Sequence, residues 1–317
     1  MNIYITINYV LLAIVFTFIL VEGMSAISFM YDRKSLPVVK KYLDPIWGIV
    51  GTFVVFFVVN TEVLYPSIMP EIDYIYVFPI LLATLLFIGR NVFLVFSEYI
   101  WKDSKFSQLM LARIYSLITL IIIIILISIF LSIISGVGTN STLTGFSISA
   151  FLYNPYIFFF ILGALLITFG LSFVFYNIKK IKILSPISTF LGLLLFIFSM
   201  NHLNLDMDYI TYILAGVIAL ISIVYYITGK ARREVVFVTA FISILSINLL
   251  NYGKVFGTKS LYSYLNNSAV SSASVLVTIV GGALLTAMLL FFLYMYKLPD
   301  NEKRNDSYAK KRRENEK

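Results

Sequence analysis

Four ionisable side chains sit where a charge is costly or exposed to special chemistry: Glu22, Arg90, Glu62 and His202. Glu22 and Arg90 fall deep inside long apolar runs. There an isolated charge costs on the order of 3 kcal/mol or more, which makes such residues functional candidates. An ion pair between them across two helices would relieve both costs. Two readings of that pair stand side by side: a charge clamp that fixes helix register, or a proton or lipid-headgroup path. Glu62 lies near the end of its run, within reach of water, and is a secondary candidate beside a plain snorkelling role. His202 is the single histidine and there is no cysteine. These counts exclude a disulfide, a thiolate metal site, a cysteine nucleophile and bis-histidine haem ligation within this chain. No catalytic, cofactor-binding or metal-ligating set is visible. The nine methionines are scattered and read as apolar filler.

The elements that position these side chains follow from the composition. Of 317 residues 60% are apolar and 13% are charged. That is about 190 apolar residues, enough for nine spans of roughly 20. A soluble domain carries about twice that share of charge, and a disordered chain far less apolar surface. Long apolar runs bounded by charges occur at 4–31, 46–64, 72–99, 107–136, 152–178, 183–200, 208–228, 234–250 and 271–296. They do not alternate apolar with polar residues as an outer-membrane barrel does. In lipid only helices otherwise satisfy the backbone. The expectation is an all-α integral membrane protein with a nine-helix transmembrane domain at 1–298. A polar, basic tail at 299–317 is expected to be disordered.

Lysine and arginine set the orientation. Odd-numbered connections carry 13 basic residues: Arg33, Lys34, Lys40, Lys41, Lys102, Lys105, Arg113, Lys179, Lys180, Lys182, Lys230, Arg232 and Arg233. Even-numbered connections carry only Lys254 and Lys259. The positive-inside rule then places the N-terminus outside and the C-terminus in the cytoplasm, which agrees with an odd number of spans. The net charge of +8 is therefore topogenic, and no nucleic-acid partner is expected. Gly48 and Gly51, Gly163 and Gly170, and Gly281-Gly282-Ala283 mark places where helices can approach closely.

One stretch says more. It reads Pro45-Ile46-Trp47, an apolar run to Tyr65-Pro66, then Tyr76-Val77-Phe78-Pro79, Gly89-Arg90 and Glu98. It resembles subunit II of the cytochrome bd-type quinol oxidases, a family with a Pro-Val-Trp element, an aromatic-Pro pair and a Tyr-x-Pro element opening a span that ends in arginine. The separations of 13 residues from Pro66 to Pro79 and 11 from Pro79 to Arg90 fit that pattern. The motif positions are thus Trp47, Pro66, Pro79 and Arg90. Glu22-Gly23-Met24-Ser25 resembles the family's Asp-Gly-Phe-Asp element. Asn154-Pro155-Tyr156 with Gly170, and Ser271-Ser272 with Leu276, resemble its later span starts. One departure matters: Gly48-Ile49-Val50-Gly51-Thr52 follows Trp47 where the family has Asp-Gly-Asn-Glu. Glu22 is then the one buried carboxylate of this chain that could substitute.

The resemblance implies two four-helix bundles plus a peripheral helix. It implies a haem-free, plasma-membrane scaffold within a quinol:dioxygen oxidoreductase complex. Haems would sit on a subunit I-like partner, with a small single-span subunit, lipid and a structural quinone as further company. Two alternatives remain open on the residues alone: an anchor subunit of another respiratory complex, and a secondary transporter, which would show broken helices near the bilayer midplane.

Overall fold

The computed structural model describes residues 2–31, 51–96, 105–139, 145–179, 181–230, 233–257 and 259–295. The motif residues Pro45, Trp47, Gly48 and Glu98, the basic residues at 33–41 and the tail at 299–317 lie outside them. The described chain is almost wholly helical: α1 (Ile3–Tyr31), α2 (Gly51–Leu64), α3 (Met69–Ile75), α4 (Val77–Val95), α5 (Lys105–Ser135), α6 (Ile148–Leu152), α7 (Pro155–Phe175), α8 (Leu184–His202), α9 (Tyr209–Thr228), α10 (Arg233–Leu250) and α11 (Ser268–Met295). Seven of these are long and apolar enough to cross a membrane, and eight if α3 and α4 are counted as one span. The described part of α2 is apolar but shorter.

Helix ends are written in the sequence. Asn154 caps α7 by accepting a hydrogen bond from the Tyr156 N–H at 2.9 Å, with Pro155 in the first turn. Asp208 caps α9 by accepting from the Thr211 N–H at 3.0 Å. Gly229, left-handed at φ 63°, ends α9 by returning its N–H to the Tyr225 carbonyl.

Two expected spans need correction. The run at 72–99 is not one helix: α3 and α4 meet at Tyr76 with a bend of 79°. Pro79 has no N–H to give, so it is tolerated only in a first turn, and α4 starts just before it. The run at 152–178 opens three residues late, because α6 and the Asn154 cap take up its first residues. The connection after α10 holds a two-stranded antiparallel hairpin, Lys254–Val255 paired with Lys259–Ser260, which hydropathy did not foreshadow.

α1 is the central post. Of its most apolar stretch 78% is buried, against 17% for α9 and 11% for α11, which lie at the periphery. α1 packs on α5, α7, α10 and α11, and α4 packs on α5. α7, α8, α9 and α10 close a ring of four in that order. Within it α7 and α8 come closest, because Gly163 faces Gly192: a Cβ on either would lie 2.8 Å from the other's carbonyl oxygen. A buried polar clamp joins α1, α2 and α11. The Asn60 amide donates to Asn8 Oδ1 at 2.9 Å, and its carbonyl oxygen accepts from Ser274 at 2.5 Å and Thr278 at 2.7 Å.

The two ends of the bundle differ. At one end Asn2 bonds Tyr252, Lys259 pairs with Glu71, and Lys254 pairs with Asp206. At the other, the Arg233 guanidinium donates to the Phe175 carbonyl at 2.7 Å. Hereafter these are the Asn2 end and the Lys182 end.

Candidate functional site

α1 and α4 bring two sequence-flagged charges together. Arg90 Nη1 donates to Glu22 Oε2 at 2.8 Å, and the two side chains are only 2% and 6% exposed. The guanidinium carbon also lies 4.6 Å from the centre of the Phe87 ring and 5.5 Å from that of Tyr115 on α5. Such faces attract a cation, more so where water is excluded. Arg90 is thus held by a carboxylate from α1 and by rings from α4 and α5, so three helices share one charge. The second carboxylate oxygen, Glu22 Oε1, is buried and accepts no hydrogen bond among the described residues. Burying a carboxylate oxygen without a donor is unfavourable. That oxygen is an acceptor left unused among the described residues.

The neighbours of Glu22 pin this segment of α1. Gly23 lets α1 close on α5 and α7; a Cβ there would meet Ile123 and Thr168 methyls at 3.2 Å. Ser25 donates to the Val21 carbonyl and its hydroxyl contacts that of Tyr176, just past the end of α7. Met24 is fully buried. The Glu22-Gly23-Met24-Ser25 element is therefore the point where α1 meets α4, α5 and α7 at once.

Beside it lies a half-open pocket of about 210 Å³ lined by α1, α5, α7, α8, α9 and α10. Its wall is nearly all apolar, from Phe16 and Gly23 on α1 to Phe196 on α8 and Ile247 on α10. Among its polar lining residues, Thr168 and Ser243 bond carbonyls of their own helices. Asn248 is different: it is 2% exposed and its amide nitrogen donates to nothing among the described residues. A cavity of roughly 150 Å³ already holds a benzene ring, so this pocket has room for an apolar group, with the Asn248 amide as an unused donor on its wall.

The other sequence-flagged residues stay apart from this site. Glu62 is exposed near the C-terminal end of α2, among the exposed Val58, Val59 and Val63. Pro66 lies in the turn after α2 and Pro79 in the first turn of α4. His202 is exposed at the Asn2 end, with its Nδ1 2.9 Å from the Phe198 carbonyl and its ring stacked on Tyr156 at 4.4 Å. Asn248 and Asn60 were missed by a search confined to ionisable groups. An asparagine within a span was the available signal.

Fold and site together define an all-α, multi-pass membrane protein built round a buried charge pair. No family model matches the chain, and no curated protein matches it. Among solved structures it is similar to a chain of the bd oxidase from Geobacillus thermodenitrificans, with a TM-score of 0.67 at 17% sequence identity. The match covers 94% of this chain and 98% of that one. The chain thus has a bd-oxidase-like fold, and the likeness extends over two chains of comparable length rather than over one shared bundle.

Proposed function

We propose that this chain is the haem-free, subunit II-like member of a bd-type quinol oxidase in the plasma membrane. It scaffolds a haem-bearing subunit during quinol oxidation and dioxygen reduction. The observation that carries the reading is the likeness along the whole length of a bd oxidase chain. The Glu22 and Arg90 positions of the sequence resemblance meeting in one ion pair add to it. On this reading the chain spans the membrane nine times, with α3 lying across the entrance to the α4 span. The N-terminus is outside, and the helices form two four-helix bundles with one peripheral helix. The ring of α7 to α10 supports one of those bundles.

Haem chemistry belongs to the partner. The residues present do not fit a pair of axial imidazoles: the one histidine is exposed and stacked on Tyr156. What this chain supplies is position and polarity. Arg90 and Glu22 hold α1, α4 and α5 in register, and the free Glu22 Oε1 offers a proton or headgroup station that stands in for the acidic residues absent after Trp47. The chamber beside Gly23 suits a structural quinone or a lipid chain, with Asn248 donating to its carbonyl. A small single-span subunit completes the complex. The bend at Tyr76 does not favour a transporter, because it falls at the Asn2 end, where the Tyr76 hydroxyl bonds Ser132, and not at mid-span.

The test is to extract the full chain from its native membrane and identify what comes with it. A large helical partner carrying several histidines supports the reading. Recovery without any haem protein would sink it.

A further inference from the structure

At the Lys182 end two connections converge. The turn from α7 to α8 carries Lys179 and Lys182, and the turn from α9 to α10 carries Lys230 and runs into Arg233. They are in contact: Arg233 bonds the Phe175 carbonyl, and the Lys182 ammonium lies 5.5 Å from the centre of the Tyr226 ring on α9. The one carboxylate in these described turns is Glu234, exposed in the first turn of α10. Among the described residues neither Lys182 nor Lys230 has an ion-pair partner. The same two connections also contain Lys180 and Arg232 in the sequence.

Directly beside these cations lies an exposed apolar wall. Ile183 and Ile187 on the α8 side are 47% and 55% exposed, and Ile223 and Ile227 on α9 are 44% and 70% exposed. The combination selects its occupant. A soluble anion would gain nothing from the isoleucines, and an acidic protein segment would leave them facing lipid. An anionic amphiphile matches both halves: phosphate against the ammonium groups, acyl chains along the isoleucines. Tyr226 holds Lys182 over its ring face, so less side-chain freedom is lost when a headgroup binds.

We propose that this corner, between the α7–α8 and α9–α10 turns, binds one anionic phospholipid, its phosphate on Lys182 and Lys230 and its chains against Ile187 and Ile223. A zwitterionic headgroup fits worse, because its own cation would meet Lys182 and Lys230. The proposal needs only that α8 and α9 cross the membrane. It stands or falls independently of the oxidase reading.

Native mass spectrometry of the full chain in detergent tests it, with phosphatidylglycerol and phosphatidylcholine of identical acyl chains as probes. Phosphatidylglycerol should be retained in preference, and added inorganic phosphate at equal concentration should not displace it. A basic residue near the surface strengthens binding of an anionic lipid about fivefold. The double change Lys182→Gln, Lys230→Gln should therefore weaken retention roughly 25-fold. The change Lys254→Gln, Lys259→Gln, at the Asn2 end, should leave it intact. If the glutamine variant does not fold, two others decide. Lys182→Arg, Lys230→Arg should keep the preference, and Tyr226→Leu should reduce it several-fold. Equal retention of the two lipids, displacement by phosphate, or indifference to all these changes overturns the site.

Discussion

Removing Arg90 leaves the Glu22 carboxylate buried with neither of its oxygens paired, and breaking a buried ion pair from one side costs about 3–5 kcal/mol. Arg90→Ala should therefore lower stability by about that much and, on the proposed function, reduce assembly with the haem-bearing subunit. The double variant Glu22→Gln, Arg90→Ala should recover a large part of the loss, since no charge is then stranded. A double-mutant cycle on thermal unfolding in detergent reads the coupling. Additive losses would mean that the 2.8 Å contact carries no energy of its own. The pocket makes a second residue-scale prediction: if it holds the proposed quinone or lipid, Ala164→Phe, which puts a ring into it, should deplete that molecule from the purified chain. Unchanged amounts, measured by extraction and mass spectrometry, would place that molecule elsewhere. Glu22 and Arg90 were legible in the sequence because a charge inside an apolar run is conspicuous. Asn248 was not: one amide barely changes the hydropathy of its run, and its place on the pocket wall depends on a space that six helices line together.

Among elements, the α7–α8 contact is the tightest, and glycine is what permits it. Gly192→Ala would drive a methyl to 2.8 Å from the Gly163 carbonyl, where backbone faces backbone and neither can yield. Overpacking of this kind costs about 1–3 kcal/mol. Gly216→Ala on α9 has nothing within 4 Å of the new methyl and should be neutral or mildly stabilising. Thermal unfolding of the two variants compares them directly, and equal effects would contradict the packing account. The Asn60 clamp predicts that Asn60→Leu loosens α11 from α1 and α2 at a cost of about 1–2 kcal/mol, as interhelical hydrogen bonds in membranes are modest. Faster protease cleavage in the connection before α11 should accompany it. The sequence showed most helix bodies, because long apolar runs are local signals, and Asn154-Pro155 marked one span start. It did not show the break at Tyr76 or the hairpin at 254–260. The first requires the turn chemistry of Pro79 to outweigh a continuous apolar run. The second is held by contacts with distant segments, such as the Phe256 N–H donating to the Ile133 carbonyl at 2.5 Å.

At the scale of the molecule, the division of charge and the architecture agree. The acidic and weakly basic connections are tied together at the Asn2 end, while Lys179, Lys182, Lys230 and Arg233 gather at the other. Within the lipid, energy comes from packing and from a few satisfied polar contacts. A chain so built is suited to hold a shape against a neighbour. We propose that this chain lends its form to a haem-bearing partner, with the redox steps carried by that partner. The most direct measurement is a reduced-minus-oxidised visible spectrum taken on the intact complex and again on its separated chains. The account predicts haem bands in the complex that follow the partner entirely, leaving this chain colourless and folded. Haem bands that remain with this polypeptide after separation would contradict it.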